Sequence, residues 1–295
     1  MSPVSETNLP NLLRRGKVRD IYDLGDKLLI VATDRISAFD FVLPNAIPDK
    51  GIVLNQLSAF WFEKTRELVP NHLIRVVDDV AQLKDLFPVS IPPELARRSM
   101  LVKKAERIPI ECIVRGYLSG SAWAEYKQRG TVSGERLPEG LRESERFPQP
   151  LFTPTTKEEG KHDEPITIEQ MNKLIGEALT REIKEKSLQV YHFAEEYARE
   201  RGIIIADTKM EFGLIEGKLH LIDELLTPDS SRFWDLEKYA PGGPQPSFDK
   251  QPLRDWLVAS GWNKEPPLPI LPSQVVAETA ERYREAYRRL VGKKL

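Results

Sequence analysis

The chain has 295 residues, 40% hydrophobic and 30% charged, with 43 Lys plus Arg against 45 Asp plus Glu and a net charge of −2. This balance argues against a general nucleic-acid coat or an anionic-membrane binder, which usually carry a basic surplus. A single cysteine, Cys112, excludes an internal disulfide framework and a Cys-rich zinc site. Because neither a bilayer-spanning apolar run nor a secretory signal is found, we predict a cytoplasmic globular protein of one large or about two smaller domains.

The predicted elements lie between proline-rich breaks. Short apolar runs and helical spacings alternate along the chain. In chain order we predict a strand at 27–33, a helix at 55–68, strands at 101–104 and 109–115, one or two helices over 167–201, a strand at 203–206, a hairpin of 208–216 with 218–224 about Gly217, and a closing helix at 273–290 capped by Ser273. Because strands come in clusters, the pattern favours an α+β fold over a doubly wound parallel sheet.

A basic loop precedes the first apolar strand. Gly16 is followed by Lys17 and Arg19. Backbone N–H groups at a glycine, together with nearby cations, can surround a phosphate. The GxxxxGK[ST] spacing of a Walker loop is missing, and an ordinary basic turn on a solvated face stays an open alternative.

The strand at 109–115 carries charges among apolar residues. Side chains alternate along a strand, so Glu111 and Arg115 share one face, whereas Cys112 points to the other face as a small core residue. Charges on a strand built for burial must pair or bind something. One interpretation is a structural Glu111–Arg115 ion pair. The other is a phosphate held by Arg115 and Ser121, because Ser121 lies at the start of a predicted helix.

A second charged row follows on the strand after residue 203. Asp207, Lys209 and Glu211 fall on one face, and the partner strand of the hairpin ends at Asp223. Glu211 and Asp223 offer the hard oxygen ligands that suit Mg²⁺, as in kinase-like ATP sites. A structural ladder of salt bridges is the alternative.

The segment 227–234 is a hydroxyl-rich turn that ends in Arg232. Alone it would be an N-capped helix start, but its position after the carboxylates makes Arg232 a second clamp for a phosphate. His162, in the long proline-rich loop, is a candidate lid residue. We expect structural roles for the other histidines, His72, His192 and His220.

Taken together, five segments closely resemble the phosphoribosylaminoimidazole-succinocarboxamide synthase (SAICAR synthetase) family. They are GKVRDIY, ATDRISAFD, IPIECIVRGYLSGSAW, IIIADTKMEFG and DELLTPDSSRFW. The resemblance runs from about Arg15 to the closing helix, and the long second half looks like the fungal form rather than the short bacterial one. Met210 stands where the family often has Phe, which should matter only for packing.

The resemblance implies an activity and a fold. Such an enzyme uses ATP and Mg²⁺ to join L-aspartate to 5-aminoimidazole-4-carboxyribonucleotide (CAIR) in purine biosynthesis, through an acyl phosphate. The products are SAICAR, ADP and phosphate. The implied fold is two-lobed, with a nucleotide cleft like that of protein kinases and ATP-grasp enzymes. We predict an N-terminal lobe at 1–104, a larger lobe at 105–250 and C-terminal helices at 251–295.

The resemblance also implies roles for individual residues. Asp207 and Lys209 would lie at the reacting groups. ATP would be bound by Gly16, Lys17, Arg19 and Lys103. The ribonucleotide would be bound by Glu111, Arg115, Ser121 and Arg232. Metal ions would be held by Glu211, Asp223 and Glu111. For L-aspartate, both residues 34–37 and the His162 loop are candidates.

Two other functions stay open at this point. A phosphotransferase acting on a small metabolite would need the ATP and Mg²⁺ groups but not the second phosphate clamp. A non-catalytic nucleotide-binding regulator would tolerate loss of Lys209 and Asp207, yet both are present. Neither a nucleic acid nor a membrane is expected as a partner. The long form favours a monomer, although nothing in the sequence decides the oligomeric state.

Overall fold

A computed structural model describes residues 2–157 and 164–295, which build two five-stranded antiparallel sheets and two short two-stranded ones, with helices packed against them. The first part of the chain contains β1 (Leu12–Arg15), β2 (Arg19–Asp23), β3 (Lys27–Ala32), β4 (Arg35–Ala38), β5 (Phe41–Ala46), α1 (Lys50–Thr65), β6 (Leu73–Val76) and β7 (Ser99–Lys103). The first sheet has the order β1-β2-β3-β7-β6, and β4 pairs with β5 as a separate hairpin. Short 3₁₀ turns lie at Val80–Leu83 and Pro93–Leu95.

The second sheet follows in the chain. This part of the chain contains β8 (Glu106–Tyr117), α2 (Gly120–Arg129), β9 (Thr131–Val132), β10 (Glu135–Arg136), β11 (Arg146–Thr156), α3 (Ile168–Ile175), α4 (Glu177–Arg199), β12 (Ile203–Ile215), β13 (Lys218–Ile222) and β14 (Ser231–Asp235). A 3₁₀ turn at Leu236–Lys238, α5 (Gln251–Ala259) and α6 (Ser273–Val291) follow. The sheet order is β11-β8-β12-β13, and β14 pairs with the first half of β12. The antiparallel pairing confirms the α+β class.

The main apolar core lies where α1, α4 and α6 meet the two sheets. In α4, Ile183, Val190 and Ala194 recur at helical spacing and are fully buried. They pack in one cluster with Cys112 of β8 and Met210 of β12. The apolar face of these two strands therefore forms part of the core, as the alternation predicts. Cys112 is buried, and burial raises the pKa of its thiol, so the prediction of a core cysteine is confirmed.

The predicted hairpin about Gly217 is confirmed. Glu216 and Gly217 have φ of 52° and 73°, the left-handed values that a two-residue hairpin turn requires. Ile215 pairs with Lys218, which sets Glu211 opposite Ile222 and places Asp223 just past the end of β13. The turn, which depends only on local sequence, thereby brings Asp223 to the same edge of the sheet as Glu211.

The segment 227–234 starts no helix, and its second half forms β14 against β12. Two local predictions, both about where a helix begins, are wrong. Ser273 is the first residue of α6, and Pro272 lies at the cap position without a side-chain cap. The helix predicted at 55–68 begins earlier, at Lys50. The two sheets draw their strands from residues 12–103 and 106–235, while the division into domains stays a prediction. Among the described helices, none is long and apolar enough to span a bilayer.

His72 offers a test of the packing between the two sheets. It is 3% exposed, its ring lies edge-on to Phe62, and burial lowers its pKa to about 3. The unfolded chain binds the proton near the ordinary pKa of about 6.5, so stability is lost as the pH falls below that value. Between about pH 7.5 and about pH 5 we expect a loss of roughly 2 kcal/mol of unfolding free energy from this residue.

Urea unfolding of the wild type and of His72→Gln at both pH values measures this loss of unfolding free energy. The glutamine variant should lose less stability than the wild type on acidification, by roughly that amount. Equal losses in the two proteins would show that His72 is protonated to the same extent in the folded and unfolded states.

Candidate active site

A cleft of about 410 Å³ lies between the two sheets. Its walls come from the β1–β2 loop, β3, the end of β7, β8, β12 and the turns after β13. All four predicted ATP residues line it, together with four charged residues of the second sheet: Gly16, Lys17, Arg19 and Lys103 with Glu111, Lys209, Glu211 and Asp223. The order of strands therefore collects residues about 200 positions apart in the chain, as Arg19 and Asp223 show.

A second cavity of about 280 Å³ adjoins the first. Glu111, Arg115 and Ser121 line it, as do residues of α2 and β11. Glu111 lies in the wall of both cavities and marks the point where they meet. Two ligands bound in the two cavities would therefore approach each other at Glu111.

The register of β8 and β12 arranges the charged row. Arg115 lies opposite Asp207, and Glu111 lies opposite Glu211. Side chains of one sheet face stay together, so the predicted groupings Glu111 with Arg115 and Asp207 with Lys209 and Glu211 are confirmed. Glu111 and Arg115 do not form the alternative ion pair, because each has a nearer partner on another strand.

Two lysines surround the facing glutamates. Lys209 Nζ lies 2.6 Å from Glu111 Oε1 and 3.7 Å from Glu211 Oε1. Lys157 Nζ forms a short contact with Glu111 and lies 3.2 Å from Glu211 Oε1. Burial opposes the charge of Lys209, but Glu211 and Glu111 outweigh it and raise the pKa of its ammonium. Burial likewise opposes the charge of Glu211, whose pKa Lys209 and Lys157 hold below its usual value. Lys209 and Glu211 therefore stay charged near neutral pH.

The far end of the row brings two arginines together around one carboxylate. Asp207 Oδ2 lies 3.4 Å from Arg115 Nη1 and forms a short contact with Arg232 Nη1. Arg115 also donates to Ser121 Oγ at 3.2 Å and to Thr153 Oγ1 at 3.0 Å. Burial lowers the pKa of Arg115, whereas Asp207 raises that of Arg232. Two guanidinium groups and a hydroxyl converge there beside the start of α2.

Gly120 makes this convergence possible. It has a φ of 57°, and a Cβ at this position would lie 2.1 Å from Nη2 of Arg232. Any other residue would strain the backbone and displace the guanidinium. The sequence pattern alone showed Gly120 only as part of a small-residue turn.

The opposite end of the cleft holds another set of ion pairs. Arg19 Nη2 lies 3.0 Å from Asp223 Oδ2 and 2.9 Å from Glu224 Oε1. Burial and the neighbouring Glu211 and Glu224 raise the pKa of Asp223 to about 6, although Arg19 opposes this shift. Lys17 pairs with Asp40. The loop predicted to cover phosphates thus lies directly against the carboxylates predicted to hold a metal.

The donor set suits a magnesium ion that arrives with a phosphorylated ligand. Within residues 2–157 and 164–295, no group of three His, Cys, Asp or Glu side chains could hold a metal by itself. Mg²⁺ usually takes one or two carboxylates and completes its shell with water and phosphate oxygens. Glu211 lies near enough to raise the pKa of Asp223, so these two carboxylates could supply the protein ligands of such an ion.

Some cleft residues were not found from the sequence. Lys157 follows β11, and Asp229 forms a buried ion pair with Lys50 at 2.7 Å while lining the cleft beside Lys250. Lys157 and Lys50 were not singled out because their partners lie 46 and 179 positions away, and Asp229 was quoted only as part of a motif, without a role.

Of the two regions considered for L-aspartate, His162 lies outside the described residues. In the other, Asp34 is fully buried against Arg98 at 3.1 Å and accepts from the Gly51 N–H, so it is structural. Ser37 does line the cleft.

Comparisons with known proteins show what the whole chain is similar to. A family model described as SAICAR synthetase matches residues 12–269. A phosphoribosylaminoimidazole-succinocarboxamide synthase of the bacterium Pelobacter propionicus is 54% identical over 98% of each chain, so this length also occurs in bacteria. A Saccharomyces cerevisiae SAICAR synthase, solved in complex with SAICAR, is 46% identical, covers 99% of each chain and has a TM-score of 0.90. A SAICAR synthetase in complex with ADP is 26% identical over 96% of this chain and 98% of that chain, with a TM-score of 0.69.

Asp207→Asn tests, without any substrate, whether Arg115 and Arg232 bind an oxyanion. The change leaves two arginines with less compensating charge, and Arg115 is 7% exposed. We expect the unfolding free energy to fall by roughly 2–4 kcal/mol. This is less than the loss from breaking a fully buried ion pair, because water partly solvates Arg232. Urea unfolding with and without inorganic phosphate measures it. Phosphate should restore more stability to the variant than it adds to the wild type, whereas equal effects would contradict an oxyanion site at these arginines.

Proposed function

The chain belongs to the SAICAR synthetase family, and we propose that it joins L-aspartate to CAIR at the junction of the two cavities, with consumption of ATP. It is a carbon–nitrogen ligase of purine biosynthesis, like the relatives it matches. The observation that carries the proposal is the pair of adjoining cavities that share Glu111, with cations at the far end of each. Two anionic ligands can meet there with their phosphates held apart.

The ribonucleotide is proposed to occupy the smaller cavity. Arg115, Arg232 and Ser121 hold its phosphate, since guanidinium groups bind phosphate oxygens through parallel hydrogen bonds. The imidazole carboxylate then points toward Glu111 and Lys209, where Lys209 remains protonated and offsets its charge. Support comes from the yeast relative, which was solved with SAICAR. Asp207 contacts both arginines, so we assign it to positioning them rather than to the reacting groups.

ATP is proposed to occupy the larger cleft. The ADP complex of a family member supports nucleotide binding. Gly16, Lys17 and Arg19 of the β1–β2 loop cover the phosphates, and Lys103 lies on the cleft wall. Glu211 and Asp223 would hold Mg²⁺, and Glu111 would help a metal bind the imidazole carboxylate. The metal supplies positive charge against the transferred phosphoryl group.

The chemistry requires an activated carboxylate. A carboxylate is a poor electrophile, so the γ-phosphoryl group of ATP is transferred to its oxygen, the bond to the β-phosphate oxygen breaks and ADP leaves. The aspartate amine then attacks the carbon. The C–N bond forms, the C–O bond to phosphate breaks, and the departing phosphate takes the proton that the amine loses. Each transfer brings anions together, so preorganised cations lower the barrier. Lys209 and Arg19 supply this charge from opposite walls.

ADP release measured with Mg-ATP and CAIR, with and without L-aspartate, tests the proposal. Product masses are followed in parallel. ADP formation that requires aspartate, with a product heavier by the aspartyl unit, supports the ligase. ADP release from CAIR alone without that product would favour the phosphotransferase. A cytoplasmic location and a monomeric state also stay predictions.

Arg115→Ala should impair ribonucleotide binding selectively. It removes a charged phosphate partner, which is worth about 1.5–3 kcal/mol, so we expect the KM for CAIR to rise roughly 10- to 100-fold. The KM for ATP should change far less, because Arg115 lines only the smaller of the two cavities. Steady-state kinetics with each substrate varied in turn measures both values. Equal effects on the two substrates would make Arg115 a structural residue.

Gly120→Ala tests the same clamp through the backbone. The added methyl group would displace Arg232, so the KM for CAIR should rise roughly tenfold or more. Gly130→Ala, at the other end of α2, is the matched control: its φ is 68°, but a Cβ there meets nothing within 4 Å. The control should lose stability from the strained φ while it keeps the wild-type KM. Similar KM values in the two variants would contradict the role of Gly120.

A further inference from the structure

The facing pair Glu111 and Glu211 poses an electrostatic problem. The two residues lie directly opposite on β8 and β12, and both are at least nine-tenths buried. Like charges in that cross-strand position repel, and the repulsion is stronger away from water. The pair can persist only if a cation lies between the carboxylates.

Lys157 occupies that bridging position. Its Nζ contacts Glu111 and lies 3.2 Å from Glu211 Oε1, whereas Lys209 is close to Glu111 but 3.7 Å from Glu211. The backbone of Lys157 is anchored, because its N–H donates to Pro109 O at 3.0 Å and its carbonyl accepts from Arg107 at 3.2 Å. The long side chain therefore reaches the glutamates from a fixed point and can leave them without rearranging the sheet.

We propose that Lys157 is a resident counter-ion that competes with divalent metal for Glu111 and Glu211, so that metal enters only together with a phosphate-bearing ligand. Two lysines and two glutamates sum to zero charge. A divalent ion added alone would leave the buried group with one uncompensated positive charge if it displaced Lys157, and with two if Lys157 stayed. Phosphate oxygens supply the missing negative charge and accept the displaced ammonium of Lys157.

The proposal rests on the proposed function only for the identity of that phosphate-bearing ligand, ATP. The competition between Lys157 and the metal follows from the positions of the three side chains themselves. It also explains why these carboxylates, although paired with cations throughout, still suit a metal bound with phosphate.

Mn²⁺ titration without nucleotide, followed by the electron paramagnetic resonance signal of free Mn²⁺, tests the proposal. Lys157→Met should bind Mn²⁺ roughly tenfold more tightly than the wild type, because removal of the ammonium leaves the glutamates without their bridge. Lys157→Arg, which keeps the charge, should stay near the wild type. A non-hydrolysable ATP analogue should increase Mn²⁺ affinity in the wild type and narrow the difference from Lys157→Met.

Lys104→Met is the matched control, since Lys104 pairs with Asp23 at the surface. It should leave Mn²⁺ binding unchanged. Thermal unfolding provides the second readout: without metal Lys157→Met should unfold at a lower temperature than the wild type, and Mn²⁺ should restore it. Lys157→Gln replaces the Met variant if that protein does not fold.

Unchanged Mn²⁺ affinity in a folded Lys157 variant would overturn the proposal. The measurement uses no substrate, so its outcome is independent of ligase activity. An inactive wild type with tighter Mn²⁺ binding in the Met variant would reject the proposed reaction but retain the counter-ion. An active ligase whose Lys157→Met variant binds Mn²⁺ no more tightly than the wild type would support the proposed reaction and reject the counter-ion.

Discussion

The structure depends on one constraint: charged side chains on the inner face of β8 and β12 must be neutralised where water cannot do so. The register sets Glu111 against Glu211 and Arg115 against Asp207. An uncompensated buried charge costs several kcal/mol, so every member of the row has an oppositely charged neighbour. The alternation of positive and negative side chains offsets the free-energy cost of burying the site.

Substrate binding can then proceed by exchange of partners. In the described residues, the three arginines assigned to ligand phosphates are paired with internal carboxylates: Arg115 and Arg232 with Asp207, and Arg19 with Asp223. An incoming phosphate replaces or joins that carboxylate, so the guanidinium groups are never left without an anion. The dipoles and charges are in place before the ligand arrives, which is the condition under which electrostatic catalysis is effective.

The same two strands also serve the core. On the face away from the site, Cys112 and Met210 pack with α4 in the main apolar cluster. Because side chains alternate across a strand, the rigidity of that packing is transmitted directly to the charged row. The charged row is therefore held by regular structure, whereas the β1–β2 loop, Lys157 just past β11 and the turns after β13 come from connecting segments.

The sequence by itself determined what depends on neighbours in the chain. Alternation placed Glu111 with Arg115 and Asp207 with Lys209, because side-chain direction in a strand is local. The turn at Gly217 was equally predictable, since it depends on two residues with left-handed backbone. The family motifs span nearly the whole chain and indicated the chemistry. Tertiary structure decided which charge meets which: Arg115 pairs with Asp207 rather than Glu111, and Lys157 bridges two glutamates. The partners lie 92 and 46 positions apart, and only strand order and register bring them together.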